Sequence, residues 1–230
     1  MLGFILLIAG APAFAEPPER DEPAVAAARA LQRADRAAAC SREQVSALRL
    51  ALDGLRVSGD ASGQASALNR LATCNQNASR IPLALDQLHE ALALTQEAGD
   101  SDLERRVLTN LATATSSAGE VDRALELFER AVVLHRAAGD RMLLARTASN
   151  LGLAYVTRGE FAKALETYNE ARETFEETGE RKALCRVLAK IATAESASGA
   201  AEQARSTFER ADRICRAEGD QEAVAFIGGR

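Results

Sequence analysis

A Gly-Asp or Gly-Glu pair returns at a constant interval along this chain of 230 residues, at 59–60, 99–100, 139–140, 179–180 and 219–220. The interval is 40 residues, and it holds without a gap from residue 61 to residue 220. Fixed periods of about 20 to 50 residues are typical of solenoids, in which one small structural unit stacks on the next. The sequence therefore predicts four stacked units, 61–100, 101–140, 141–180 and 181–220.

Four positions of the unit are apolar in every copy, and their spacing indicates helices. In the second half of the unit, spacings of four, three and seven residues place three of these positions on one face of an α-helix. Alanine at two of them permits close approach of helices, and the large residue between them fills the gap. Each unit is therefore expected to be a helical hairpin. The four columns are Leu71, Leu111, Leu151 and Ile191; Ala84, Ala124, Ala164 and Ala204; Leu88, Phe128, Tyr168 and Phe208; and Ala91, Ala131, Ala171 and Ala211.

The recurring Gly-Asp pair has a structural explanation. Glycine at a position such as Gly139 adopts the left-handed conformation that ends a helix at little cost. The following residue, Asp140, is then expected to cap the next helix through its side-chain oxygen. Within the units, Gly119, Gly159 and Gly199 mark the shorter turn between the paired helices.

The composition favours an all-α protein. The chain is 47% hydrophobic but only 4% aromatic, and it is rich in Ala, Leu, Glu and Arg, which are strong helix formers. No segment of alternating β-branched residues is flanked by turn residues, so we expect no sheet. The net charge of −5 argues against nucleic acid as a partner, because binding phosphates requires a basic face.

The stretch "NLGLAYVTRGEFAKALETYNEA", residues 150–171, resembles a tetratricopeptide repeat (TPR) in its longer, 40-residue variety. The matching positions are Leu151, Gly152, Tyr155, Gly159, Ala164, Tyr168 and Ala171. The resemblance implies a right-handed α-solenoid of antiparallel helical hairpins, a TPR-like superhelix. It also implies that the first helix of each hairpin lines a concave groove, in which such repeats bind extended peptides or partner helices.

The two ends of the chain depart from the regular repeat. Residues 24–60 are interpreted as a diverged N-terminal hairpin, in which Gln44 replaces the expected alanine. A degenerate terminal repeat is what a solenoid needs as a cap. Residues 221–230 are expected to begin a further helix or to form the C-terminal end, with Val224 and Ile227 as an apolar surface for a partner or a second copy.

The first 15 residues resemble a secretory signal peptide. An apolar run too short to span a membrane ends in a small-x-small site at Ala13 and Ala15, which predicts cleavage after Ala15. Residues 16–23 are then expected to be a disordered leader. The protein is therefore predicted to be exported, periplasmic or secreted, with no membrane association after cleavage. An uncleaved anchor is the alternative, and a cytoplasmic location follows only if this segment is not a signal.

No catalytic constellation is found in the sequence. The two histidines, His89 and His135, have no cysteine or paired acid at ligand spacing, and both are interpreted as solvent-facing helix residues. There is no Gly-rich phosphate loop. The sequence therefore predicts no catalytic residue, no metal and no cofactor.

The four cysteines are expected to pair within hairpins. Cys185 lies 14 residues before Gly199 and Cys215 lies 16 after it, so an antiparallel hairpin places them side by side. The same argument brings Cys40 level with Cys74. We therefore predict disulfides Cys185–Cys215 and Cys40–Cys74, each worth about 3–4 kcal/mol in the entropy model. The alternative is four reduced, buried cysteines acting as small apolar residues.

The groove implied by the resemblance is predicted to be polar and cationic. Arg106, Arg146 and Arg186 repeat every 40 residues, and Asn110 and Asn150 follow one turn later, where an amide can both donate to and accept from a peptide backbone. The alternative is that the arginines pair with acids of neighbouring helices such as Glu104. The predicted groove residues are Arg106, Asn110, Thr113, Arg146, Asn150, Leu153, Arg186 and Lys190.

Asn150, Arg186 and Lys190 partly resemble the carboxylate clamp by which some repeats of this family hold a partner's C-terminus. The preceding inner helix offers Thr109 and Thr113 where that clamp has a lysine and an asparagine. The resemblance therefore implies an acidic or carboxylate-bearing protein or peptide partner. The predicted function is a non-catalytic interaction scaffold. The alternative is the regulatory or targeting part of a larger exported enzyme.

Overall fold

The structure is a computed structural model that describes residues 22–229, and within them the chain forms helices and no strand. Their bounds are α1 Pro23–Arg36, α2 Arg42–Ser58, α3 Ala61–Asn77, α4 Ile81–Ala98, α5 Ser101–Ser117, α6 Val121–Ala137, α7 Arg141–Arg158, α8 Phe161–Thr178, α9 Arg181–Ala197, α10 Ala201–Ala217 and α11 Gln221–Gly228.

The Gly-Asp pairs end one hairpin and begin the next. Gly139 has φ +71°, and the Asp140 side chain accepts a hydrogen bond of 3.0 Å from the Leu143 N–H at the start of α7. Glu180 holds the same position before α9 but makes no capping hydrogen bond. Its additional methylene group carries the carboxylate past the N–H groups that the shorter aspartate side chain reaches.

The hairpins form because small and large side chains alternate on the second helix of each unit. The alanines at the two small columns are buried, with 0% of their surface exposed at Ala164 and Ala171. Tyr168 packs between them and lies over Gly152, where an added Cβ would come within 2.5 Å of its ring. Close helix packing at these columns therefore fixes the distance between the two helices of a unit.

The helices divide into an inner and an outer row. Each of α3, α5, α7 and α9 contacts the next first helix along the chain, ending with α11, whereas no such contact joins the described second helices α4, α6, α8 and α10. Since the first helices are closer together than the second helices, the stack curves. We call α3, α5, α7, α9 and α11 the inner helices, and their shared face is the concave side.

The N-terminal hairpin consists of α1 and α2. Gln44 occupies the position of the missing alanine, and its side chain accepts 2.7 Å from Cys40 N–H and donates 3.0 Å to the Ala34 carbonyl. It therefore holds the connection between α1 and α2. Pro23 is the first residue of α1, one residue earlier than expected. The predicted signal peptide and most of the predicted leader lie outside the described residues.

The structure pairs the four cysteines in the combination that the sequence predicts. Cys40 and Cys74 are joined with Cα atoms 5.0 Å apart, and Cys185 and Cys215 with Cα atoms 5.3 Å apart. Cys40 lies in the connection before α2, not in the second helix as expected. The Cys185–Cys215 pair is fully buried beneath Ala223 of α11. One disulfide therefore lies in the first described hairpins and the other in the last.

The last hairpin is only partly covered. α11 has 8 residues, whereas α9 has 17, so the C-terminal half of an inner helix is not present over α10 in the described chain. Phe208 is consequently half-buried, although Phe128 and Tyr168 in the same column are each 1% exposed. We call the resulting space of about 900 Å³, lined by α9, α10 and the end of α11, the terminal cleft.

The packing columns can be tested with Ala164→Leu. The larger side chain has no room at this fully buried position, so we expect the free energy of unfolding to fall by about 1–3 kcal/mol, measured by urea denaturation. Ala204→Leu is the matched control, because Ala204 holds the same column but borders the terminal cleft. We expect it to cost much less, and equal costs at the two positions would contradict the described packing.

Candidate binding groove

The concave side brings the predicted groove residues together on α5, α7 and α9. Arg106, Arg146, Arg186 and Leu153 are exposed there, and Leu153 shows 48% of its surface. The remaining predicted residues, Asn110, Thr113, Asn150 and Lys190, are half-buried on the same helices.

The three arginines of the row have different surroundings. Arg186 lies 2.5 Å from a carboxylate oxygen of Asp220 and 3.3 Å from one of Glu222, and this pairing holds the pKa of Asp220 below its usual range. Neither Arg106 nor Arg146 has an acidic side chain of residues 22–229 within ion-pair distance. Glu104 pairs with Arg130 of α6 at 3.4 Å instead. The expected neutralisation of the row by neighbouring acids therefore applies to Arg186.

Hydrogen bonds between successive inner helices form the floor of the groove. The Asn110 amide donates 2.8 Å to the Asn69 side chain of α3, and its backbone carbonyl accepts 3.0 Å from Gln76. One of its amide N–H groups is thus already used within the protein, and its oxygen carries no described bond. Asn150 one unit later makes no described side-chain hydrogen bond and lines a pocket.

His135 is buried, so its interpretation as a solvent-facing residue was wrong for this position, although His89 is exposed. The Thr109 hydroxyl donates to the Arg105 carbonyl and therefore accepts from His135 Nε2 at 3.2 Å. The Nδ1 atom is buried with no partner among the described residues. Burial lowers the pKa of His135, Arg105 nearby adds to this, and Asp140 opposes it. The 40-residue column carried the signal, since Phe175 and Cys215 occupy it in later units.

Lys190 stands at the centre of a cationic pocket between α7 and α9. Its ammonium group donates 3.0 Å to the Ser149 hydroxyl and 3.2 Å to the Ser149 carbonyl. No carboxylate of residues 22–229 pairs with it. The pocket has a volume of about 530 Å³ and is also lined by Arg146, Asn150, Lys182, Arg186 and one acid, Glu180.

The electrostatics of this pocket favour an anion. Burial, with a smaller effect of the nearby Arg186, lowers the pKa of Lys190 to about 8. A lysine with a lowered pKa is a cation that the protein solvates poorly. A carboxylate entering the pocket would supply both the missing counter-charge and the missing hydrogen-bond acceptor.

Sequence reasoning missed two residues of the pocket. Lys182 lies one helical turn before Arg186, so the same periodicity that selected Arg186 and Lys190 would have selected it. Ser149 gave no signal of its own, because its part depends on the 41-residue step between neighbouring inner helices. Within residues 22–229 no group of acids, cysteines and histidines is arranged to hold a metal. No helix of that region is long and apolar enough to cross a bilayer.

Comparison with known families agrees with this architecture. The sequence model of the tetratricopeptide repeat matches in three overlapping segments, residues 63–137, 108–177 and 143–217. The chain belongs to the tetratricopeptide repeat family, and the all-α solenoid expected from the sequence is confirmed. No curated protein matches the sequence significantly.

Solved structures with the same fold include bacterial regulators. The apo form of RapI is 20% identical with a TM-score of 0.75, over 86% of this chain and 72% of that one. Aspartyl phosphate phosphatase F from Bacillus subtilis is 16% identical with a TM-score of 0.72, over 87% and 52%. The Rap conjugation gene regulator of plasmid pLS20, in complex with the Phr* peptide, is 14% identical with a TM-score of 0.67, over 90% and 56%. This chain spans little more than half the length of the last two, and these likenesses show the fold.

The buried His135 predicts acid destabilisation. The neutral imidazole is favoured in the folded state, whereas the unfolded chain binds a proton near the ordinary pKa of 6.5. The unfolded state thus holds more protons below that pH, and the free energy of unfolding should fall as the pH drops from 7.5 to 5, by at most about 1.4 kcal/mol per pH unit. Urea denaturation at each pH measures this.

His135→Leu should remove this pH dependence, whatever its effect on stability at pH 7.5. His89→Gln is the control, because His89 is exposed and should leave the wild-type profile unchanged. A His135→Leu protein with the wild-type slope would show that other groups cause the acid destabilisation.

Proposed function

We propose that this protein is a non-catalytic interaction scaffold whose concave groove binds a peptide or protein segment bearing a carboxylate, and that it is exported. The tetratricopeptide fold is typically a binding scaffold, and the pLS20 regulator with this fold is described in complex with a peptide. These likenesses support a binding role. The choice of a carboxylate ligand rests on the groove itself.

The observation that carries the proposal is the Lys190 ammonium group, half-buried and hydrogen-bonded to Ser149 without a carboxylate partner in the described chain. Asn150 lies one unit earlier in the same column and also faces the pocket. A peptide carboxylate at Lys190 would leave Asn150 in reach of the adjoining backbone amide, to which its side chain can both donate and accept. Leu153, exposed one turn further along α7, offers an apolar contact to the next side chain.

Export is supported by two independent features. Two disulfides join residues that lie in different helices or connections, and disulfides persist in oxidising compartments such as the periplasm and the extracellular space. The apolar first 15 residues end in a small-x-small site, which is the pattern of a cleaved signal peptide.

Peptide binding can be tested with Lys190→Gln. Binders would be selected from a random peptide library with free C-termini, then synthesised as carboxylate and carboxamide pairs, with each internal Glu also changed to Gln. Fluorescence anisotropy should show that Lys190→Gln weakens binding of the preferred carboxylate peptide at least about tenfold, the loss of one charge-assisted hydrogen bond. Wild-type affinity should also decline above pH 8, because Lys190 loses its charge near its pKa of about 8.

The control is Lys163→Gln, which removes the same charge from an exposed site on α8 where Lys163 pairs with Glu160 at 2.7 Å. It should bind as the wild type does. Equal affinity of carboxylate and carboxamide peptides, or of Lys190→Gln and wild type, would contradict the proposed site. Failure to select any peptide would contradict peptide binding in the groove.

Export can be tested by the mass of the protein recovered from its source cells. We expect it in the periplasmic or secreted fraction, starting at Glu16, with a mass lower by four hydrogens than that of the reduced chain because each disulfide removes two. Alkylation with and without prior reduction provides the control. Full-length protein with free thiols in the cytoplasmic fraction would contradict export.

A further inference from the structure

We propose that the terminal cleft binds a second copy of this chain, so that two solenoids join through their α10 helices about a twofold axis near Phe208 and Glu209. This surface is separate from the pocket at Lys190. The proposal rests on the shape of the cleft, its apolar floor and the order of the charges along its rim.

The floor of the terminal cleft is apolar and incompletely covered. Ala201, Ala204 and Phe208 of α10 form it, with Ile227 at the end of α11. In the preceding unit, Tyr168 holds the position of Phe208 and is buried to 1% exposure, covered by the next inner helix. The cleft therefore has the width of a helix, and within the described chain it is empty along α10.

The rim of the cleft carries a stripe of charges on α10 at helical spacing. Its members are Glu202, Arg205, Glu209, Asp212 and Arg216, separated by three or four residues. Arg205 pairs with Glu202 at 3.1 Å and Arg216 with Asp212 at 2.6 Å. These pairs lie on the surface, where an ion pair contributes little to stability, so they can exchange partners at low cost.

The order of the charges is self-complementary when two α10 helices run antiparallel. With the twofold axis between Phe208 and Glu209, Arg205 faces Asp212 of the second copy, because both lie equally far from the axis. Glu202 comes within one residue of facing Arg216 of the second copy. An isologous interface requires that a surface complement itself in this manner, whereas a cleft built for an unrelated helix has no such requirement.

The centre of the interface is also consistent with pairing. The two Phe208 side chains would meet on the axis and complete the burial that the preceding units give to Tyr168 and Phe128. Glu209 lies beside its counterpart, and Arg205 one turn away on each helix offsets this repulsion. Because charges decide the register, the dimer should weaken as salt is added.

Charge exchange tests the proposed pairing. Sedimentation equilibrium of the wild-type protein should give a concentration-dependent mass that approaches twice 24.4 kDa. Arg205→Glu and Asp212→Arg should each raise the dimer dissociation constant at least about tenfold, because each places like charges opposite one another. The Arg205→Glu/Asp212→Arg double variant restores opposite charges in reverse order and should return the constant to within about threefold of wild type.

Arg123→Glu is the matched control, since Arg123 forms the same three-residue-spaced pair with Glu120 at 3.2 Å but on α6. It should dimerise as the wild type does, and circular dichroism should show equal helicity for all variants. A monomeric wild type would overturn the proposal. So would a dimer that neither single variant weakens, or single variants whose effects the double variant does not reverse. Lys190→Gln should leave dimerisation unchanged, which separates this test from that of the groove.

Discussion

Close contact between helices at two alanine columns is the constraint on which the rest of this solenoid depends. Ala164 and Ala171 have no exposed surface, and a large side chain between them fills the space that the small ones leave. Because every unit repeats this arrangement, each inner helix comes to lie beside the next at a fixed distance. That distance brings Lys190 of α9 within hydrogen-bond reach of Ser149 on α7. The binding pocket is thus a product of core packing.

The groove and the end of the solenoid are joined by one side chain. Asp220 caps α11 by accepting from the Ala223 N–H at 3.3 Å, and it also binds Arg186 beside the pocket. Since Asp220 is only 3% exposed, its charge needs this arginine. Arg186 therefore serves mainly to seat α11, whereas Lys190, which lacks an acidic partner in the described chain, remains available to a ligand.

The fold could be predicted from the sequence because its information is local and repeated. The 40-residue period placed the hairpins, the left-handed glycines placed their ends, and equal distances from a turn paired Cys185 with Cys215. The site was less accessible to such reasoning. Burial of His135 was concealed by its polarity, although Phe175 shares its column. The state of Lys190 depends on Ser149, 41 residues away, and the pairing of Arg186 depends on an aspartate that the period marks only as a helix cap.

The location of the two disulfides has a consequence for how the correct bonds are chosen. Each bond closes a loop of one hairpin length, with sequence separations of 34 and 30 residues, and contacts between helices extend only to neighbouring units. Once the hairpins have formed, Cys74 and Cys185 are held apart by the helices α4 to α8. Mispairing between the two cysteine pairs would require the intervening units to unfold. The repeat architecture therefore directs oxidation to the native partners without a need for later reshuffling.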